Sequence, residues 1–525
     1  MHRIKGDRSK QFLILFWIIV GPVLAVLWYF HLLFSGSADS ARYLLSALAQ
    51  SQAAIVAIVV TLTLVVVQLT SQTYSLRVMD LFLKKRAFWI LLLVYGVSII
   101  YDVILLSMIP LISPQEALNL SFSILNRPFG IEDLVTGGLV LMAITFSALF
   151  WFIGTAMNNL KTKNIIGELG EGIDVKSFVE KISERYREDK SGGCPVVHED
   201  DDQVLPLVDI TKRAIRADDL SAAQEGISEL IEIVCGRDDE KNLGQVGSLE
   251  VEGILNKEGY GEKRNEILRH FSCHLEDIGK VASYQEDERT VREVAGALHK
   301  LAYKAIENGL GDKSIMRVPL SLYSIGNSSA ERRLMDATVG IAKALGGVGV
   351  FAADNALYNT VEIAIDSLRW IGVIAVEKNM MWETKRIVDA LRDIGEKLVE
   401  RTRVQERDTK TLNLIENATF IVYELVYRSE METKRRMWLP VITSAIDCLV
   451  NIGYKAEKKR LDIAQKIAGH LKDAWCASVK NDLPIRRELP IRKKDIDETI
   501  SSWQEETKNE EIKSVLQNIL NEMSY

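Results

Sequence analysis

The sequence has few cysteines and lacks the short motifs that mark common enzymes. Its 525 residues include five cysteines, none in a CxxC pair, and no Walker A, HExxH or GxSxG motif. These absences remove the usual signals for a P-loop nucleotide site, a zinc protease and a serine hydrolase. Isolated cysteines are typical of reduced thiols in a cytosolic compartment. We therefore expect neither an enzyme nor a bound cofactor.

The chain has more acidic than basic residues, and the acidic excess lies after residue 160. Residues 1–160 carry ten lysines and arginines against seven acidic residues, whereas residues 161–525 carry 54 against 64. Nucleic acids and anionic lipid surfaces attract basic faces. The acidic C-terminal part therefore argues against a nucleic-acid partner and against a domain that lies flat on a membrane.

Long apolar runs are confined to the first third of the chain. Four of them, at about residues 12–34, 44–69, 88–109 and 134–157, are each long enough to cross the roughly 30 Å hydrocarbon core of a bilayer as a helix. The first run is longer than the roughly 7 to 15 apolar residues of a cleaved signal peptide. The sequence predicts a four-span membrane domain over residues 1–160.

The segments that flank these runs alternate in charge. Lysine and arginine are frequent before the first run, between the second and third, and directly after the fourth, whereas the two remaining loops have one arginine each. Basic flanks stay in the cytoplasm. We therefore expect a multi-pass protein of the cell membrane with both termini in the cytoplasm.

Polar side chains occur at helical spacing within the second and third runs. Asp102 is the only acidic residue inside any of the four runs, and a carboxylate at that depth is costly unless it is paired, hydrated or protonated. Two interpretations are open: a polar site near the outer leaflet that binds a cation or a proton, or a polar contact that holds the helices together. The candidate site residues are Asp102, Ser98, Tyr95, Thr61, Gln68, Gln52 and His31.

The second run and the segment after it carry a recognisable pattern. Residues 51–86 contain a Thr-Leu-Thr-Leu stretch from Thr61 to Leu64, followed by Gln-Leu and Ser-Gln pairs, an aromatic-Ser turn with an arginine, and a Phe-Leu pair before a basic end. This pattern resembles the DUF2254 family of membrane proteins, with Leu76 in place of the family's proline. The resemblance implies a four-span membrane domain and implies no activity. The other matching residues are Gln68, Leu69, Ser71, Gln72, Tyr74, Ser75, Arg77, Phe82 and Leu83.

The rest of the chain has the pattern of amphipathic helices with few strand signals. Residues 161–204 are expected to form a juxtamembrane helix and an acidic hinge loop, and residues 205–525 a cytosolic helical domain, so the fold class is all-α. A loose signature recurs there, with a leucine four residues before a glycine or alanine. An irregular solenoid of stacked helix pairs and an irregular bundle both fit its variable spacing. The copies begin at Leu275, Leu298, Leu368, Leu391 and Leu449.

Two segments of the C-terminal part resemble ligand-binding motifs. The stretch GGVGVFAA from Gly346 satisfies the dinucleotide fingerprint, but helical spacing precedes it where that fingerprint requires a strand. We therefore expect a glycine turn that joins two helices. The acidic run at residues 198–202 is interpreted as a solvated loop rather than an ion site.

A third motif has the spacing of metal ligands. His270, Cys273 and His274 face one side of a predicted helix, and Asp277 or His299 would complete a tetrahedral shell. A core-facing thiol beside two ordinary histidines is the simpler interpretation. We therefore predict no metal and keep these residues as a weak candidate.

These expectations lead to two hypotheses for function. The first is a membrane-anchored interaction protein whose acidic helical domain binds a protein partner or its own copies at the cytoplasmic face. The alternative is a homo-oligomeric ion channel or ion-translocating protein that uses the polar site around Asp102. Several subunits would be needed for that function, because four spans alone leave little room for a central pathway. In both cases the lipid bilayer is a partner.

Overall fold

The structure is a computed structural model in which the described residues are mostly α-helical. These residues are 38–73, 86–108, 131–159, 162–188, 202–236, 254–256, 263–402, 409–430, 439–459, 462–480 and 493–524. Within these residues no strand occurs, so the predicted all-α class is confirmed. The chain separates into two compact units, Met1–Leu169 and Gly170–Tyr525. The first predicted span, residues 12–34, lies outside the described part of the chain.

The described helices are named in chain order. The first are α1 (Ala38–Thr73), α2 (Arg86–Met108), α3 (Ile131–Asn159) and α4 (Thr162–Glu171). The second unit continues with α5 (Val175–Glu188), α6 (Leu205–Arg216), α7 (Leu220–Cys235), α8 (Lys263–Tyr284), α9 (Glu288–Glu307), α10 (Asp312–Ile315), α11 (Arg317–Glu331), α12 (Met335–Asp354), α13 (Tyr358–Glu377), α14 (Met381–Arg401), α15 (Thr409–Glu430), α16 (Leu439–Lys458), α17 (Ile463–Lys480), α18 (Lys493–Glu506) and α19 (Glu510–Ser524). A short 3-10 turn, Ile254–Asn256, lies between α7 and α8.

The three long helices of the first unit pack against one another around a small apolar core. Leu45 of α1, Leu105 of α2 and Val135 of α3 lie in this core. The outward faces expose large apolar side chains such as Leu93 and Phe150. A water-soluble domain rarely leaves such residues in one continuous exposed band, whereas contact with lipid favours it. The first unit therefore has the surface of a membrane domain.

Three of the four predicted spans coincide with these helices. Asp39–Val65, Phe88–Met108 and Leu134–Gly154 are long and apolar enough to cross a membrane. A further helix of that kind, Met335–Asp354, lies in the second unit, where more than half of it is buried against neighbouring helices. Its apolar composition reflects a core position in the helical domain.

The predicted glycine turn within GGVGVFAA is wrong, because α12 continues through it as a helix. A Cβ on Gly346 would lie 2.9 Å from the Cβ of Ala390, and one on Gly349 would lie 2.5 Å from the Cδ1 of Ile394. Larger residues would force α12 and α14 apart. Glycine disfavours an isolated helix by about 1 kcal/mol, and the close packing that it permits here offsets that cost.

The helices of the second unit alternate between two layers. One layer contains α7, α9, α12, α14, α16 and α18, and the other contains α8, α11, α13, α15, α17 and α19. Within a layer, small residues let consecutive helices approach closely, as where Gly372 faces Leu425 and Gly395 faces Ile452. Both glycines belong to the leucine and glycine signature that recurs in the sequence.

Tight turns with one residue in the left-handed conformation connect many of these helices. The residue after it donates its N–H to the carbonyl five positions earlier, as Leu357 does to Ala352 at 2.9 Å. This is the Schellman arrangement, in which glycine is the favoured left-handed residue. The left-handed residues are Asp218, Glu286, Arg333, Ala356 and Asn379, with φ between 57° and 59°, and Gly309, with φ of 69°.

We expect Ala356→Gly to stabilise the helical domain by up to about 1 kcal/mol, because a Cβ is strained at this φ and the side chain is exposed. Ala217→Gly is the matched control, since Ala217 is also exposed beside a turn but has φ of −91°. The measurement is the thermal unfolding midpoint of each variant. A midpoint below that of the wild type for Ala356→Gly would contradict the expectation.

A partly buried carboxylate links α14 to α16. The Oδ1 of Asp389 accepts a hydrogen bond from the hydroxyl of Ser444 at 2.6 Å, and its Oδ2 lies 3.1 Å from the Nζ of Lys385. Burial raises the pKa of Asp389, but the hydrogen bond from Ser444 and the charges of Lys385 and Arg392 outweigh it and hold the pKa below its ordinary value. The ionised form is therefore the one that stabilises the fold.

We expect Asp389→Asn to lower the free energy of unfolding by about 2 kcal/mol at pH 7. A carboxyl whose pKa is lower in the folded state contributes its stability above the unfolded pKa of about 3.9 and loses it as the pH falls through the folded pKa. The difference between wild type and variant should thus be constant from about pH 7 to 5 and shrink below about pH 4. Denaturant unfolding across this range is the measurement, and a difference that grows towards acid would contradict the assignment.

Candidate functional site

A buried polar pair joins α1 to α2 inside the membrane domain. The Nε2 of Gln52 donates a hydrogen bond to the Oδ2 of Asp102 at 3.4 Å, and both side chains are inaccessible to solvent. Ser98 and Tyr95 occupy the preceding turns of α2 on the same side and are also buried. A carboxylate in such a place marks a functional or a structural polar contact.

The third helix closes the site through two adjacent glycines. A Cβ on Gly138 would lie 2.8 Å from the Oδ1 of Asp102, and one on Gly137 would lie 2.7 Å from the hydroxyl of Tyr101. That hydroxyl donates a hydrogen bond to the carbonyl of Leu134 at 2.9 Å. The absence of side chains at the two glycines therefore lets α3 pack directly on the polar stripe of α2.

Several buried polar atoms of this site have no hydrogen-bond partner among the described residues. They are the Oε1 of Gln52, the Oγ of Ser98, the Oδ1 of Asp102 and the Oγ1 of Thr136. Buried polar atoms in proteins are nearly always satisfied, so such a group suits a water molecule or an ion. Gln52 and Asp102 thus each keep one oxygen without a partner at their buried contact.

The structure brings only part of the predicted polar site together. Asp102, Gln52, Ser98 and Tyr95 are close neighbours on α1 and α2, whereas Thr61 and Gln68 lie at exposed positions farther along α1. Thr61 donates its hydroxyl to a carbonyl of its own helix and is nine residues from Gln52, which is about 14 Å along a helix axis. His31 lies outside the described residues.

A second polar cluster lies in the helical domain, where α8 meets the residues before α6. The Oδ2 of Asp202 lies 2.9 Å from the Nε2 of His274 and 3.2 Å from the Nε2 of His270, and the two Nε2 atoms lie 3.1 Å apart. At most 12% of any of these side chains is exposed. Imidazole nitrogens and carboxylate oxygens are common ligands of divalent transition metals.

Neighbouring groups fix the orientation of two members of this cluster. The Oδ1 of Asp202 accepts the backbone N–H of Val204 at 3.0 Å and of Leu205 at 3.2 Å, so that Oδ2 is directed at the histidines. The hydroxyl of Tyr186 on α5 lies 3.3 Å from the Nδ1 of His270. That contact turns the Nε2 of His270 towards the centre of the cluster.

Burial and the nearby charges shift the protonation of Asp202 and His270 in ways that suit ligand chemistry. Burial raises the pKa of Asp202, but hydrogen bonds from His270 and His274 outweigh it and hold the pKa well below its ordinary value. Burial is also the main cause that lowers the pKa of His270, with a further contribution from His274. The cluster therefore combines an ionised carboxylate with a neutral imidazole.

The structure assembles this cluster differently from the metal shell considered in the sequence. His270 and His274 come together, but Cys273 is disulfide-bonded and is not part of the cluster. Asp277 is exposed and forms a surface ion pair, and His299 packs against α12. The two histidines are thus the only residues of the weak metal candidate that meet in the described part of the chain.

The disulfide bond also corrects the expectation about cysteine oxidation. Cys235, Cys448 and Cys476 are not in disulfide bonds, as expected for reduced cysteines. Cys273 does not, so the expectation is wrong at that residue.

Asp202 is the member of the cluster that sequence reasoning missed. It is the last residue of the acidic run 198–202, which has the composition of a solvated loop, yet it is buried. It lies 72 residues from His274 along the chain. The acidic run was the available signal, but only the fold shows which of its carboxylates approaches the histidines.

The N-terminal part of the chain matches a known family. Residues 8–230 match the family model described as "Predicted membrane protein (DUF2254)". The predicted resemblance to DUF2254 is confirmed. The DUF2254 region includes α1 to α3, the Gln52 and Asp102 pair, and Asp202, and it ends within α7. Together with the apolar helices, this match identifies the chain as a membrane protein.

Comparisons beyond the DUF2254 region add little. No curated protein sequence matches the chain significantly. Two solved chains match, one of them described as a "Circular tandem repeat protein with novel repeat topology and enhanced subunit contact surfaces". That chain is 13% identical over 93% of this chain and 100% of its own length, with a TM-score of 0.34. A likeness this weak implies nothing about the fold or function of the DUF2254-related chain.

Proposed function

We propose that this membrane protein is an anchored protein-interaction module, in which the N-terminal helices hold the acidic helical domain at the cytoplasmic face. The observation that supports this proposal is a group of accessible aromatic side chains on one layer of the domain. This aromatic face consists of Trp370 on α13, Phe420, Tyr423 and Tyr427 on α15, and His470 on α17.

Ring contacts connect the parts of the aromatic face on α15 and α17. The ring of Tyr423 stacks on that of His470 with centroids 6.0 Å apart, and the ring of Phe420 lies 5.9 Å from His470. Between α13 and α15, the Nε of Arg369 lies 2.8 Å from a carboxylate oxygen of Glu424. The rings are therefore held by neighbouring contacts and lose little conformational freedom when a partner covers them.

The composition of this face is that of a protein-binding surface. Trp370 is 53% exposed. Tryptophan is among the residues that contribute most to the binding energy of protein interfaces. At Phe420 and His470, an open pocket of about 340 Å³ is also lined by Asn413, Glu416 and Asn417. Aromatic residues around a pocket with polar groups at its rim suit an apolar anchor from another protein or from a second copy of this chain.

Site-specific photo-crosslinking in native membranes tests the proposal. A photoreactive phenylalanine analogue at Trp370 or at Phe420 should give a discrete crosslinked product in the full-length protein. The control position is Tyr303 on α9, which is partly exposed in the other layer and should give none. A product of twice the chain mass would identify self-association. No product at Trp370 or Phe420, or equal products at Tyr303, would contradict the proposal.

A second candidate function, ion translocation by an oligomer, is favoured by the buried acceptor atoms around Asp102. In proteoliposomes, the wild type should then conduct a cation or proton flux that Asp102→Asn removes. Thr61→Val should leave that flux unchanged, since Thr61 lies outside the cluster. A wild-type protein without flux, or a flux that survives in Asp102→Asn, would exclude this function for the site.

A further inference from the structure

We propose that Asp202, His270 and His274 bind a divalent transition-metal ion in the helical domain. The three ligand atoms are the Oδ2 of Asp202 and the Nε2 atoms of the two histidines. The site shares no residue with the aromatic face or with the polar pair of the membrane domain. It goes beyond the proposed interaction function and does not depend on it.

The distances between the three ligand atoms are those that a single ion requires. Ligands about 2.0 to 2.1 Å from a tetrahedral Zn²⁺ are about 3.3 Å apart, and neighbouring ligands of an octahedral Fe²⁺ are about 3.0 Å apart. The observed separations of 2.9, 3.1 and 3.2 Å fall close to both values. An ion can therefore enter with small side-chain adjustments and no movement of helices.

The arrangement of the two Nε2 atoms itself favours a cation. At 3.1 Å, two imidazole nitrogens cannot both direct a proton at the other, so without an ion the two rings must share the one oxygen of Asp202 or accept from each other. The carboxylate oxygen adds a negative charge at the same point. A metal ion would bind all three atoms at once through the nitrogen lone pairs and the carboxylate charge.

The surroundings of the cluster supply the second set of contacts that metal sites usually have. Tyr186 contacts the Nδ1 of His270, and the backbone N–H groups of Val204 and Leu205 hold the second oxygen of Asp202. Such contacts orient ligands and their loss commonly weakens metal affinity by about 10- to 100-fold. Phe178 and Phe271 pack near the ring of His270 and keep bulk solvent away.

A bound ion would connect segments that are distant in the sequence. It would join Asp202, three residues before α6, to α8, and through Tyr186 it would also fix α5 against α8. These helices form the N-terminal end of the second unit. The ion is therefore expected to stabilise this end of the helical domain, with water at the remaining coordination positions.

Metal analysis of the purified full-length protein tests the site. After growth with added zinc and iron salts, and purification in detergent without chelator, the wild type should contain about one equivalent of metal per chain by elemental mass spectrometry. The analysis identifies the ion as zinc or iron. After removal by chelator, Co²⁺ should restore one equivalent with visible absorption bands, and the thermal unfolding midpoint should rise.

Substitutions distinguish the residues that bind the metal from nearby residues that do not. His274→Ala and Asp202→Asn should lose at least 90% of the bound metal, and Tyr186→Phe should weaken Co²⁺ binding about tenfold. His299→Ala, which alters a histidine outside the cluster, should keep the full equivalent. The metal-free wild type and the metal-free variants are compared by circular dichroism to confirm that each variant still folds. A wild type that neither retains metal nor binds micromolar Zn²⁺ or Co²⁺ would overturn the proposal, as would equal metal content in His274→Ala and His299→Ala.

Discussion

Trp503→Ala is expected to release the C-terminal helices from the domain, with a loss of about 3 to 5 kcal/mol in the free energy that protects them from opening. Trp503 is fully buried and is among the largest side chains in the core. Its ring lies directly against Gly453 of α16, where any larger residue would collide with it. Alanine would leave a cavity that the surrounding helices can fill only in part.

The contacts around Trp503 explain why the effect should be local. Besides the tryptophan, α18 is held to α16 by two side-chain hydrogen bonds near its end, from Tyr454 to Glu506 at 3.0 Å and from Thr507 to Glu457 at 2.9 Å. Such partly exposed bonds contribute little in comparison with the buried ring. Loss of the ring should therefore affect residues 493–524 before the rest of the domain.

Hydrogen exchange followed by mass spectrometry measures this effect. Amide exchange in residues 493–524 should rise at least about a hundredfold in Trp503→Ala, since each 1.4 kcal/mol is about a factor of ten. Trp382→Ala is the matched control, because Trp382 is 61% exposed and its removal should change exchange by less than about threefold. Equal effects of the two substitutions would show that the described packing of α18 on α16 is wrong.

Gly138→Leu is expected to disrupt the membrane domain by about 3 kcal/mol or more. The new side chain would enter the contact between α2 and α3, where even a Cβ would lie 2.8 Å from the Oδ1 of Asp102 and 3.4 Å from Leu45. Because Asp102 and Gln52 are buried beside this contact, separation of the helices would also break their hydrogen bond.

The control for this substitution lies on the same helix. Gly154→Leu adds the same side chain at an exposed position with no neighbouring atom within 4 Å of the added Cβ, so it should be tolerated by lipid or detergent. The measurement is the temperature at which the detergent-solubilised protein loses its monodisperse size-exclusion peak. A large loss for Gly154→Leu with none for Gly138→Leu would contradict the packing of α3 on α2.

The membrane helices could be predicted from the sequence because their determinant is local. A run of about 20 apolar residues has few stable alternatives to a span, so composition alone located α1, α2 and α3. The contact between Asp102 and Gln52 could be predicted from the sequence only in part. The sequence placed both residues in the candidate polar site, but helical spacing also included Thr61 and Gln68, which the fold leaves at exposed positions.

The helical domain contains the features that sequence reasoning could not supply. Spacing on one helix paired His270 with His274, whereas Asp202 reaches them only through the fold. In α12, the low helix propensity of glycine favoured a turn at Gly346, but close packing of Gly346 against Ala390 stabilises a continuous helix. Both errors have one cause, since local pattern carries no information about the neighbour that a residue will meet.

The side of the membrane on which the helical domain lies is the most direct test of the proposed anchoring. Cys476 is an exposed free thiol on α17, and Ser40→Cys would place another at the start of α1, which is predicted to face outward. A membrane-impermeant maleimide applied to intact cells should label Ser40→Cys and leave Cys476 unlabelled until the membrane is permeabilised. Cys476→Ser reports the background from other cysteines. Labelling of Cys476 in intact cells would contradict a cytoplasmic helical domain.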